Sequence, residues 1–174
     1  MSGPLRVLLA ASAAVAAAAV LAALYVSARH RALVSHCRNN LRHMGGLAAR
    51  NGALLDPSRT GRAFWQAVRE LEYKTVKGEW RPLHPDPFIC PVYGRTPSRP
   101  TDPLSIDYRG PKKVRERFED TPKGEPLGAD RPGNHGDGGH VLFLDLSVRE
   151  MPAGVKAAGE SDAAWAEAAR VLTD

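Results

Sequence analysis

The side chains best equipped for chemistry in this chain are two cysteines, Cys37 and Cys90, and a run of imidazoles and carboxylates, His135, Asp137, His140 and Asp145. Thiols can close a disulfide, attack an electrophile as thiolates or hold a metal, and imidazole with carboxylate can ligate a metal or move a proton. Spacing narrows these options. His36 and His43 stand one and six residues from Cys37, so on a helix they do not both face it, and no oxyanion motif follows. H-x-D-x-x-H in a glycine-rich loop offers no fixed face for a metal, and the strand-like Leu142 to Asp145 carries Asp145 away. Gly45-Gly46 and G-D-G-G lack the Lys-Ser/Thr of a phosphate loop. The expectation is therefore a protein that is not an enzyme and needs no cofactor. Gly136, Gly138 and Gly139 serve a sharp turn, and His135 and Asp145 make local hydrogen bonds that fix the loop on a hairpin.

The elements that must position these residues begin with an apolar run. From Val7 to Val26 the chain holds twenty residues without a charge, ten of them alanine. A helix of that length crosses roughly 30 Å of hydrocarbon, and no polar face is visible. The rival reading is a secretory signal cut after Val26-Ser27-Ala28, with Arg6 as its positive flank. Both readings export the remainder. Charge counting points the other way, since Arg29, Arg31, Arg38 and Arg42 follow the span, but long domains translocate largely regardless of flanking charge.

Beyond the span, Leu33, Cys37, Leu41, Met44 and Ala48 form one apolar stripe at helical spacing, with Arg38, Asn39, Asn40 and Arg42 on other faces. This predicts a helix over 29–52 that stops at Asn51-Gly52. Counted from about Leu5, such a helix extends on the order of 70 Å. Pro57 is placed to open a second helix near 60–72, with Phe64, Val68 and Leu71 on one stripe and Trp65 beside it. Residues 78–139 hold 11 of the 14 prolines and 9 of the 16 glycines, so that region is read as loops with brief strands at Phe88-Ile89-Cys90 and Ser105 to Tyr108. Val141 to Leu144, a turn at Asp145-Leu146-Ser147 and a return to Met151 predict a hairpin. Ser161 caps a tail helix with Ala164, Trp165, Ala168 and Leu172 on its apolar face. The organisation expected is an anchor (1–28), an α+β domain (29–152) and a helical tail (153–174). Lys and Arg exceed Asp and Glu by 24 to 19, scattered, with 6% aromatics, so no nucleic-acid partner is expected, nor a small-molecule substrate.

Taken in order, an apolar helix running into C-R-N-N-L-R-H-M-G, then F-I-C-P, then D-Y-R-G-P, then N-H-G-D-G-G-H-V-L-F-L-D resembles the bacterial pseudopilin-like proteins related to the major pseudopilin of type II secretion. More narrowly, it resembles the prepilin-type proteins whose C-terminal signature is His, nine residues, Asp-Gly. His135 and Asp145 have that spacing, and Leu146 stands where the family has glycine. The resemblance implies a pilin-like fold, a spine helix on a small antiparallel sheet, exposed outside the cytoplasmic membrane and assembled helix to helix with other pseudopilin subunits. Asn39, Asn40, Leu41, His135, Gly138, Gly139 and Asp145 carry the structural signature.

Two departures shape the expectations. Gly3 is followed by Pro4 and Leu5, and Leu8 occupies the place of the family's membrane-embedded glutamate, which leaves open both N-terminal processing and filament formation. The alternative is a solitary anchored binding module of the cell envelope. Leucine at position 146 resists the positive φ of a two-residue hairpin, so a wider turn is expected. Export to an oxidising compartment implies a Cys37–Cys90 disulfide, the competing reading being two buried, unbridged thiols. Some major pseudopilins hold calcium in a C-terminal loop, a role that Asp130, Asp137 and Asp145 could imitate.

Overall fold

The computed structural model describes residues 3–75, 87–92, 106–112, 124–130, 135, 139–151 and 170–173. The chain falls into two units, Met1–Leu33 and Val34–Asp174. α1 (Gly3–Asn51) supplies the described part of the first unit and the opening element of the second. The expected stop at Asn51 holds, and Gly52–Leu54 forms one turn of 3-10 helix after it. Over residues 9–26 of the first unit the large apolar side chains are exposed, among them Val15 at 70%, Leu21 at 66% and Val26 at 64%, whereas Leu33, the first residue of the expected stripe, is half-buried. By length and composition α1 is a candidate for a single membrane span, a test that a signal sequence also passes.

The second unit is an α+β domain. α2 (Gly61–Thr75) packs with the second half of α1 over a five-stranded sheet. Its strands are β1 (Tyr108–Pro111), β2 (Pro126–Asp130), β3 (Gly139–Phe143), β4 (Val148–Met151) and β5 (Leu172–Thr173). The spatial order is β4-β3-β2-β1-β5, and every pair is antiparallel. The helical stripe behaves as its spacing requires: Cys37, Leu41, Met44 and Ala48 are all fully buried, and Leu47 joins them. On α2, Phe64, Trp65 and Val68 are fully buried as well.

Two glycines let these layers close. Trp65 lies over β2 at Gly128, where any Cβ would stand 2.6 Å from Cζ2 of the indole, and its Nε1–H donates to the Arg109 carbonyl at 2.9 Å. At Gly45 of α1 a Cβ would press at 3.0 Å on the δ-carbons of Leu142 and Leu146, so the helix backbone sits close on β3 and its turn. A register shift in β2 between Pro126 and Gly128 sends Leu127 to this inner core, while Ala129 joins Val141, Phe143 and Leu172 in a second buried cluster.

Several expectations need correction. α2 opens at Gly61, as the expected helix near 60–72 requires, after a side-chain turn of Asp56 and Ser58, and runs three residues longer than expected; the Thr60 carbonyl accepts its first helical bonds. Phe88 to Cys90 is a turn held by hydrogen bonds to neighbours, not a strand. β1 begins at Tyr108, the last residue of the stretch expected to be extended. β2 lies inside the region read as loops. Leu172 belongs to β5, not to the tail helix; Ser161, Ala164, Trp165 and Ala168 lie outside the described residues.

The β3–β4 hairpin forms as expected. Leu146 N–H donates to the Phe143 carbonyl and Phe143 N–H donates to the Ser147 carbonyl, both at 2.9 Å, which closes a three-residue loop. The loop is thus wider than two residues. Leu146 nevertheless takes φ of 64°, in the left-handed region that closes such a loop and that glycine fills at least cost.

Candidate functional site

The chemistry-bearing residues converge in the second unit from four separate stretches of chain. Cys37 lies on the buried stripe of α1, fully enclosed. One helical turn on, Asn40 reaches across, its Nδ2 donating to the Ile89 carbonyl at 3.1 Å and to the Tyr108 hydroxyl at 3.4 Å. That contact helps to seat the turn that carries Cys90. Asp107, just before β1, completes the seating: its Oδ2 accepts from the Cys90 N–H at 2.9 Å and its own N–H donates to the Phe88 carbonyl at 3.1 Å. The Cys37 and Cys90 sulfurs are 2.8 Å apart, a pair of neighbouring thiols rather than a closed disulfide.

Imidazole reaches this pair from the far side of the sequence. His135 Nε2 lies 3.4 Å from Cys90 Sγ, and its Nδ1 faces Asp130 Oδ2 at 3.5 Å. Asp130, at the end of β2, also accepts from the His140 backbone N–H at 2.9 Å and from His140 Nδ1 at 2.8 Å. The two imidazole rings meet edge to face with centroids 5.3 Å apart. Tyr108 closes the other side, its hydroxyl donating to Cys37 Sγ at 3.6 Å. None of these residues is more than 9% exposed. Among the described residues, Asp130 Oδ1 and His135 Nδ1 have no hydrogen-bond partner although they are buried.

The electrostatics follow from that enclosure. The hydrogen bond with Cys90, then burial, push the Cys37 thiol far above its ordinary range, so it stays protonated. Burial, reinforced by the neighbouring thiols and Asp130, pushes Tyr108 up as well. For His135, burial alone would lower the pKa, but the hydrogen bond to Cys90 and the Asp130 carboxylate outweigh it and raise it. Two sulfurs and an imidazole nitrogen therefore share one buried cluster, and a second group of carboxylate and two imidazoles adjoins it through His135.

The other sequence candidates divide clearly. Leu41 is fully buried in the core and Asn39 is exposed. Gly139 begins β3, opposite Met151 of β4. Asp145 is exposed in the hairpin turn, where it accepts from the Ser147 N–H at 2.8 Å. Asp137 and Gly138 lie outside the described residues. The two described carboxylates of the calcium reading, Asp130 and Asp145, are not brought together: Asp130 sits beside His140 at one end of β3, and Asp145 follows its other end. The local bonding expected of His135 is also a correction, because its partners come from β2 and the Cys90 turn. His36 and His43 are exposed, whereas Cys37 is buried.

Sequence reasoning missed Asp130, Asp107 and Tyr108 as partners of the cluster. Asp130 is set next to His140 across the ladder by the antiparallel pairing of β2 with β3, and P-L-G-A-D carries no strand pattern that would have announced it. Comparison with protein-family models, with curated proteins and with solved structures finds no match.

Proposed function

We propose that this chain is a membrane-anchored, pseudopilin-like structural component of a type II secretion or pilus-like system, single-pass, with its α+β domain outside the cytoplasmic membrane and without catalytic activity. One observation carries the reading. Residues from the quoted pieces, Cys37 and Asn40, Cys90, Asp107 and Tyr108, and His135, meet around a single buried cluster, and the helix that carries Cys37 is the one whose earlier part is apolar. The exposed apolar surface of residues 9–26 is what a lipid or another copy of the helix would cover. In an oxidising compartment Cys37 and Cys90 close to a disulfide, giving two electrons and two protons to a disulfide-bearing oxidant. Closing the 52-residue loop between them stabilises the domain by about 4 kcal/mol in the chain-entropy account.

The second reading, a solitary anchored binding module of the envelope, draws on Leu8, which puts an apolar group where the filament-forming family keeps a carboxylate. Crosslinking separates the two. Ala14→Cys, Ala18→Cys and Leu21→Cys variants in native membranes give dimers along one helix face if the chain assembles with its own kind or with related subunits. Uniformly monomeric chains at all three positions defeat the filament reading and leave the solitary anchor.

A further inference from the structure

We infer that the dithiol form of the cluster is a binding site for one zinc-class divalent cation, held by Cys37 Sγ, Cys90 Sγ and His135 Nε2, with Asp130 as the positioning residue behind the histidine. The inference rests on the geometry of the second unit alone, so it stands or falls separately from the membrane reading.

The three donor atoms come from three different segments, and all lie within 4.8 Å of one another. Their chemistry, two thiol sulfurs and an imidazole nitrogen, suits a borderline-soft ion that prefers tetrahedral surroundings, and disfavours calcium or magnesium, which prefer oxygen. The Sγ to Nε2 distance of 3.4 Å is close to what bonds of about 2.3 and 2.0 Å to a common tetrahedral centre require. The sulfurs, now 2.8 Å apart, move apart by roughly 1 Å to reach the separation set by two zinc–sulfur bonds of about 2.3 Å, a small change of side-chain torsion.

The surroundings of His135 supply the second, independent observation. Metal-bound histidine usually donates its other ring N–H to a carboxylate or carbonyl, which fixes tautomer and ring orientation. Here the buried Nδ1 lacks a hydrogen-bond partner among the described residues and faces Asp130 Oδ2 at 3.5 Å. With Nε2 on the ion, Nδ1 must carry the proton, and Asp130 Oδ2 at 3.5 Å is the carboxylate oxygen at hand to receive it after a small adjustment. His140 stands outside the set of Cys37, Cys90 and His135 donors; its Nδ1 bonds Asp130 Oδ2 at 2.8 Å and holds the carboxylate in place. The Tyr108 hydroxyl donates to Cys37 Sγ at 3.6 Å and so belongs to the immediate surroundings of the donor set.

Binding replaces two S–H bonds by two metal–sulfur bonds and releases two protons to solvent, and the cation offsets the buried negative charge left behind. Disulfide closure and ion binding exclude each other, since the oxidised pair offers no thiolate. The same two sulfurs therefore have two ways of tying α1 to the Cys90 turn, one for each redox condition.

The test uses the full-length, tag-free chain purified in detergent, with Co²⁺ as a spectroscopic stand-in for Zn²⁺. The fully reduced protein binds one Co²⁺ per chain with the thiolate charge-transfer band and visible bands of a tetrahedral site, and equimolar Zn²⁺ abolishes them. Cys37→Ser and Cys90→Ser lose the charge-transfer intensity in part or whole. Asp130→Asn keeps the ligand set and weakens binding roughly 10- to 100-fold. Absence of a thiolate band from the reduced wild-type chain overturns the site whatever the variants do. Full retention of the band in both serine variants overturns it equally, and unchanged affinity in Asp130→Asn overturns the role of Asp130.

Discussion

Residues 9–26 and 34–51 share one secondary structure and differ in what their apolar side chains meet. In the first stretch apolar residues occur all round the helix and stand exposed, with Val15, Leu21 and Leu24 each more than half accessible. In the second they occupy one stripe, and Cys37, Leu41, Met44 and Ala48 are sealed against α2 and the sheet while Arg38, Asn39 and Arg42 face out. Helix formation is common to both, so the difference lies in the partner. Pattern says which partner is wanted: one polar face implies a protein core with water behind it, and none implies an apolar medium on every side.

Changes in the two stretches should therefore fail in different assays. Leu41→Ala empties a fully buried position and should cost the domain about 3 kcal/mol or more, read as a lowered midpoint in denaturant melts. Leu21→Arg should leave that midpoint unchanged and instead oppose membrane insertion by about 3 kcal/mol, read as the fraction integrated into microsomes or inner membrane. If Leu21→Arg lowers the domain midpoint as much as Leu41→Ala does, the two stretches do not have the different partners ascribed to them.

Smaller effects sharpen the packing of 34–51. Leu146→Gly relieves the left-handed strain at φ of 64° but loses glycine's extra chain entropy, for a net gain of about 0.5 kcal/mol. A clear loss would show that the Leu146 side chain, which approaches Gly45 of α1, contributes more by packing than its backbone costs. The smallest effect belongs to Asp145. The neighbouring Ser147, through its side chain and through the N–H that donates to Asp145 at 2.8 Å, holds the carboxyl below the ordinary value of 3.8 in the folded chain. A folded pKa below the unfolded one means that its contribution is complete above the unfolded pKa and is lost as pH falls through the folded value. Asp145→Asn should flatten that part of the stability profile below about pH 4, measured by melting across pH, and leave neutral pH nearly unchanged.

The same contrast explains what could be read from the sequence. Elements with a strong period were legible: the Cys37–Ala48 stripe, the Phe64–Val68 face and the β3–β4 hairpin all stand where their spacing put them. β2 was not, because all five of its residues are buried and P-L-G-A-D shows neither alternation nor β-branched residues. Phe88-Ile89-Cys90 misled in the opposite sense: its apolar character serves the core, while its backbone bonds go to Asp107 and Asn40 instead of a ladder. Of the cluster, the juxtaposition of Cys37 with Cys90 was anticipated from export chemistry, but the approach of His135 was not. That histidine lies 45 residues from Cys90, and only the strand pairing between them brings it near.

The most direct test of the central claim, that the apolar stretch spans a membrane and the domain lies beyond it, is protease accessibility of the full-length chain in intact spheroplasts, combined with alkaline carbonate extraction of the membranes. The account predicts that the chain stays in the carbonate-washed membrane and that externally added protease removes the domain. A full-length chain released by carbonate, or a domain cleaved only after the spheroplasts are lysed, would contradict it.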